Sequence, residues 1–166
     1  MQKNPYPRSV IKNGKNKYWL LALVLGVVLI DECLKYISLI RLPDEGSLVG
    51  YKFLTFAIHK NMGIAFDIPF KIEFVILISV ILGLLLLEIA YKNISKKPDI
   101  AFSSLMIVIG ACGNLFDRIY YGFTVDYIIF FGQSAINLSD IIIVLGVVFL
   151  LLSSRKPNHR LTIHRD

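Results

Sequence analysis

Four long apolar runs constrain this chain more than any other feature, and each of them ends in polar residues. They are YWLLALVLGVVLI (18–30), carried on through DECLK and YISLI to residue 40; FVILISVILGLLLLEIAY (74–91); IAFSSLMIVIGACGNLF (100–116); and IIIVLGVVFLLLSS (141–154). A helix that crosses a bilayer needs about 20 mostly apolar residues. Each run reaches that length only with its polar end included, which predicts helices that end in a polar site rather than in plain water. A water-soluble domain is nearer 45–50% apolar and about 25% charged. Here the fractions are 55% and 18%, and the apolar excess is gathered in the four runs. The expected fold is a membrane all-α bundle of four transmembrane helices, at about 18–40, 71–91, 100–120 and 137–154. A single domain is expected over 1–166.

The segments between the runs sort by charge. Lys3, Arg8, Lys12, Lys15 and Lys17 precede the first run, Lys92, Lys96 and Lys97 follow the second, and Arg155, Lys156, Arg160 and Arg165 follow the fourth. The 121–136 loop has no Lys or Arg. The positive-inside rule therefore puts both tails and the 92–99 loop in the cytoplasm. The net charge of +6 does not signal nucleic acid, because the basic residues sit in tails and a short loop and form no continuous basic surface. The first run is not a cleaved signal peptide: DECLK follows it, with no small-x-small cleavage site. Between the first two runs, LVGYKFLTFAI (48–58) is rich in β-branched and aromatic residues. It predicts a small extracytoplasmic β-element between helices 1 and 2, with NMG (61–63) as a turn.

The polar residues converge on one level. At about 1.5 Å of rise per residue, Asp31 lies roughly 20 Å and Lys35 about 26 Å above the inner end of the first helix. Asn114 lies about 21 Å and Asp117 about 26 Å along the third, and Asp140 is again about 21 Å up the fourth. Asn114, Asp117 and Arg118 share a face at i, i+3, i+4. Asn137 and Asp140 are i, i+3, and Asp31 and Lys35 are spaced to pair at i, i+4. A charge at mid-bilayer costs about 2.5–3.5 kcal/mol on insertion scales, so a cluster of them reads first as a functional site facing the bundle interior. The plainer reading is of interfacial caps and salt bridges: Asn137 as an N-cap with Asp140 in the first turn, and Asp117 with Arg118 as a surface pair.

The residue types narrow the chemistry. There is no HExxH; His59, His159 and His164 are scattered, and Cys33 and Cys112 form no CxxC pair. No metal and no cofactor is expected. No glycine-rich phosphate loop is present. Carboxylate and carboxamide remain. Two aspartates held close cannot both ionise easily, so one serves as acid and the other as base, the logic of aspartic proteolysis.

DECLK (31–35), KNMGIAF (60–66), GACGNLFDRIYYGFTVDYI (110–128) and INLSDIII (136–143) occur in that order. In these blocks the chain resembles the lipoprotein signal peptidase (signal peptidase II) family of bacterial intramembrane aspartyl proteases, over nearly its whole length. The resemblance implies Asp126 and Asp140 as the catalytic pair, in preference to the conspicuous Asp117. It implies Asn61, Asn114, Arg118 and Asn137 as the polar groups that orient substrate backbone and aspartates, with Asp31, Lys35 and Asp117 as supporting ion pairs. The implied substrate is a prolipoprotein whose cysteine carries diacylglyceryl, cut just before that cysteine. The implied setting is the bacterial cytoplasmic (inner) membrane, with lipid and the lipidated substrate as partners, the chain monomeric, both termini cytoplasmic and the site near the outer face. The chain departs from the family pattern at Ser139, usually Ala; at Ile136, often Phe; at Asp67, frequently Ser; and in a short 127–135 loop. The alternative is a polytopic ion or proton carrier using Asp31, Lys35 and Asp140. A relay needs ionisable groups through the full depth, and the inner halves of spans one, three and four have none.

Overall fold

The structure is a computed structural model, and it describes residues 18–48, 50, 52–63 and 71–155. Ile64, Ala65, Phe66 and Asp67, the basic residues from Lys3 to Lys17, and Lys156, His159, Arg160, His164 and Arg165 lie outside the described residues.

Among the described residues, four α-helices and three strands follow in chain order: α1 Trp19–Arg41, β1 Leu54–Asn61, α2 Ile72–Asn93, α3 Pro98–Tyr120, β2 Thr124–Phe130, β3 Ser134–Ile136 and α4 Leu138–Ser154. A 3-10 turn, Glu45–Ser47, lies between α1 and β1. Among the described residues two helices, α2 and α3, are long and apolar enough to cross a membrane. Their surfaces differ. On α2 only Val75 and Ala90 are buried, and Phe74, Leu77, Leu82, Leu84 and Leu85 are exposed. An apolar helix open to its surroundings on nearly every face is at home in lipid. α3 instead buries a stripe of small and polar residues, Ala101, Ser103, Ser104, Gly110, Gly113, Asn114 and Asp117 among them. Small residues let helices approach closely where lipid removes the hydrophobic drive for association. α3 is accordingly the hub, packed against α1, α2 and α4. A Cβ at Gly146 of α4 would stand 2.7 Å from Ile107 Cγ1 and 3.1 Å from the Ile107 backbone nitrogen, so any side chain there would have to push Ile107 aside.

Two apolar cores result. Val24, Met106 and Ile142 join α1, α3 and α4 along the bundle. Ile58, Val125 and Tyr127, packed by Leu39, Leu42 and Leu138, join the sheet to the end of α1. The sheet is antiparallel in the order β1-β2-β3. Its register pairs His59 with Asp126 and Asn61 with Thr124, after an irregularity between Phe56 and His59.

The sheet corrects the sequence reading. The β-element is not confined to the segment between the first two helices, because two of its three strands come from 121–136, read above as a loop. TVDYIIF is β-branched and aromatic, as strands require. Its alternation was masked because β2 is the central strand, with Thr124, Val125, Asp126 and Tyr127 all buried. Gly122, at φ +80°, turns the chain out of α3 into β2. The β2–β3 connection passes through Phe131 and Gly132, both at positive φ, and Gln133 N–H closes it on Phe130 O at 3.0 Å. That hairpin is how the short 127–135 stretch spans from Asp126 back to α4.

Candidate active site

Asp126 lies on the central strand and Asp140 in the first turn of α4, and one residue joins them. Asn137 is the N-cap of α4. Its Oδ1 accepts from Asp140 N–H at 2.9 Å, and its own backbone N–H donates to Asp140 Oδ2 at 3.2 Å, which completes a capping box. With the oxygen committed to the cap, the amide NH2 must face the other way. It donates to Asp126 Oδ1 at 2.7 Å, to Asn114 Oδ1 at 3.1 Å and to Val125 O at 3.4 Å. The cap and the bridge between the aspartates are thus one device, and the N-cap reading of Asn137 holds.

Each aspartate has a second amide donor. Asn61 Nδ2 reaches Asp126 Oδ2 at 3.1 Å from the neighbouring strand. Asn114 Nδ2 reaches Asp140 Oδ1 at 2.7 Å from α3. Burial first, and the nearby Asp140 carboxylate second, push the Asp126 carboxyl up to about 7, against the pull of the Asn61 amide, His59 and the Asn137 amide. At neutral pH this pair can hold one proton between them.

The remaining predicted residues form a second, adjoining cluster. Lys35 is buried, with its Nζ 2.8 Å from Asp117 Oδ2, 3.0 Å from Asp31 Oδ2 and 3.0 Å from Glu32 Oε1. It also donates to Asn114 Oδ1 at 3.2 Å, so the ammonium dictates which end of that amide faces Asp140. Asp117 pairs with Lys35 and accepts from Val125 N–H at 3.2 Å; it is buried and makes no surface pair with Arg118. Asp31 receives Leu138 N–H at 3.0 Å, Ser139 N–H at 3.2 Å, Ser139 Oγ at 2.6 Å and Tyr127 OH at 2.8 Å. It ties the start of α4 and the middle of β2 to α1. Arg118 stands in the field of Asp140, Asp126 and Asp117 and donates to Gly63 O at 3.4 Å.

Sequence reasoning overlooked Glu32, Tyr127 and Thr124. Glu32 lies i−3 from Lys35, a spacing that could have marked it. The other two needed β2 to be seen as a strand. A cavity of about 860 Å³ opens beside the dyad, lined by Asn61, Asn114, Arg118 and Asp140 at its polar end and by Ile78 and Leu82 of α2 at its apolar side. The arrangement suits hydrolysis of a bond in a partly apolar substrate.

The comparisons agree. The family model described as Signal peptidase (SPase) II matches residues 23–156. The lipoprotein signal peptidase of Clostridium tetani (strain Massachusetts / E88) is 36% identical over 141 residues, covering 80% of this chain and 89% of that protein. The lipoprotein signal peptidase of Bartonella tribocorum (strain CIP 105476 / IBS 506) is 33% identical over 143 residues, covering 80% and 86%. A bacterial membrane enzyme solved by the in meso method at 2.3 Å resolution shares the fold, with a TM-score of 0.70 at 22% identity, over 89% of this chain and 94% of that one. With these relatives over most of its length, the chain belongs to the signal peptidase II family of proteases.

Proposed function

We propose that this peptidase removes the signal peptide from diacylglyceryl-modified prolipoproteins, cutting just before the lipidated cysteine, with Asp126 and Asp140 as the catalytic pair. The observation that carries the pair is the Asn137 bridge, which holds both carboxylates from one side chain and its own backbone.

The roles divide by environment. Asp140 sits at the positive end of the α4 dipole and receives the Asn114 amide and a backbone N–H. Asp126, raised to about 7, stays neutral below that pH. Ionised Asp140 takes a proton from water, whose oxygen attacks the scissile carbonyl carbon. Asp126 gives its proton to the carbonyl oxygen, which becomes a hydroxyl of the tetrahedral intermediate. On collapse, the C–N bond breaks, the proton on Asp140 passes to the leaving amine of the cysteine, and the hydroxyl proton returns to Asp126. The products are a signal peptide with a new carboxyl terminus and a mature chain with a free amino terminus. No external reductant, oxidant or cofactor enters the balance.

In the same reading all four helices span the bacterial inner membrane, both termini are cytoplasmic, the chain acts as a monomer and the site lies near the outer face. Trp19 and Tyr91, both exposed, would mark the inner boundary, and Tyr36, Phe116 and Tyr120 the outer one. Acyl chains then remain in lipid while the peptide bond reaches the dyad.

The test uses purified full chain and a lipobox peptide with and without diacylglyceryl. The lipidated peptide is expected to be cleaved, and the bare peptide at least about tenfold more slowly, since remote binding energy is what places the bond. Equal rates would remove the lipoprotein role. Full cleavage by Asp126→Asn or Asp140→Asn would remove the dyad.

A further inference from the structure

Two buried polar atoms at the dyad have no hydrogen-bond partner among the described residues: Thr124 Oγ1 and Arg118 Nε. Both residues line the cavity that Asn61 and Asp140 also line. Thr124 is 1% exposed, and a buried hydroxyl left unpaired costs about 1–3 kcal/mol.

The placement is specific. Thr124 precedes Asp126 by two residues on β2, so the two side chains share one face of the sheet. Its cross-strand partner is Asn61, whose amide already binds Asp126. On a strand two residues advance about 7 Å. An extended peptide has the same repeat: carbonyls on one of its sides recur every second residue. When the scissile carbonyl of such a peptide lies at Asp126, the next carbonyl on that side falls level with Thr124.

We propose that Thr124 Oγ1 is a donor seat for a substrate backbone carbonyl two residues from the scissile bond, with Thr124 as a substrate-binding residue of this chain in the cavity that Arg118 also lines. The inference rests on the protease reading above. The occupant is a neutral oxygen and not an anion. Arg118 can only donate, its charge is already offset by Asp140, Asp126 and Asp117, and an anion would be set against the dyad. The seat fixes the register of the peptide, and so which bond meets the two aspartates.

Thr124→Val removes the hydroxyl and keeps the shape; Thr124→Ser keeps the hydroxyl. With purified full chain and the lipidated lipobox peptide, Thr124→Val should raise KM about 3–10-fold with kcat within about twofold, the mark of a uniform binding contact. Thr124→Ser should match wild type. Thr124→Val should not lower Tm, because the hydroxyl has no partner within the fold to lose. A second arm measures peptide affinity in an Asp140→Asn background with and without Thr124→Val. The same 3–10-fold loss is expected, and it should vanish for a peptide whose carbonyl two residues from the scissile bond is reduced to CH2. An unchanged affinity and KM in Thr124→Val, or a lowered Tm, overturns the seat. Failure of wild type to cleave the lipidated peptide overturns the protease reading instead, and the affinity arm still decides the seat.

Discussion

Two buried polar clusters lie side by side in this molecule, and they are built of different materials. Around Asp126 and Asp140 the partners are neutral amides: Asn61, Asn114 and Asn137. Around Asp31 and Asp117 they are a full charge, Lys35, with backbone N–H groups and hydroxyls. An ammonium beside a carboxylate pairs with its charge and pins it in place, whereas an amide orients it without an opposing charge. The contrast separates the aspartates proposed for the chemistry from aspartates that hold elements together. Asn114 is the junction, since it accepts from Lys35 and donates to Asp140. The charge cluster thereby orients the dyad without touching it.

The sharpest way to break this contrast is to neutralise one aspartate in each cluster. Asp126→Asn or Asp140→Asn should cost about 10²–10⁴ in kcat with the fold intact, read as turnover of the lipidated peptide beside a thermal melt. A melt as damaged as the turnover would make the two clusters alike. Lys35→Met should act the other way round. It strands Asp31 and Asp117 as buried charges, at about 3–5 kcal/mol, so Tm should fall by roughly 10 °C before any kinetic effect is considered. A wild-type melt for Lys35→Met would mean the cluster is not structural.

Smaller effects refine the picture. Asp126 is raised from 3.8 to about 7, so the folded chain keeps a proton that the unfolded chain gives up in that interval. The stability linked to that proton is fully present below about 3.8 and is lost as pH rises through about 7. Wild type should therefore lose Tm relative to Asp126→Asn as pH climbs from 4 to 8, and cleavage should fall above about 7 as Asp126 loses the proton it donates. A gap in Tm that is flat with pH would contradict the neutral carboxyl. Least of all, Ser139→Ala removes the 2.6 Å hydroxyl contact to Asp31. The expected loss is about 1–2 kcal/mol, a few degrees of Tm, with kcat nearly unchanged. A large fall in kcat would show that Asp31 also governs the dyad through the start of α4.

Local spacing made much of this site legible. Asp31 with Lys35, and Asn137 with Asp140, are neighbours along a helix, and both contacts are present in the fold. The long apolar stretches under α2 and α3 were equally plain. What spacing could not give was the role of Asp117. Sharing a face with Asn114 and Arg118 placed it near the dyad, but one turn of helix carries it to Lys35 instead. Two strands of the sheet were missed for a similar reason. A central strand buried on both faces shows no alternation, and Tyr127 and Thr124 gain meaning only once β2 pairs with β1. Long-range contacts such as Tyr127 OH to Asp31 leave no mark in sequence spacing.

The brevity of α4 has a consequence of its own. Its 17 residues extend about 26 Å, short of a hydrocarbon core about 30 Å thick. In the four-span reading that mismatch is concentrated at the capped end, where Asn137 stops the helix and the dyad begins. A bilayer meets a short span by thinning beside it. The outer leaflet would dip toward Asp140, drawing the headgroups and their water down to the carboxylates. In that reading the enzyme need not lift a lipid-anchored substrate out of the membrane, because the membrane surface would be lowered to the site.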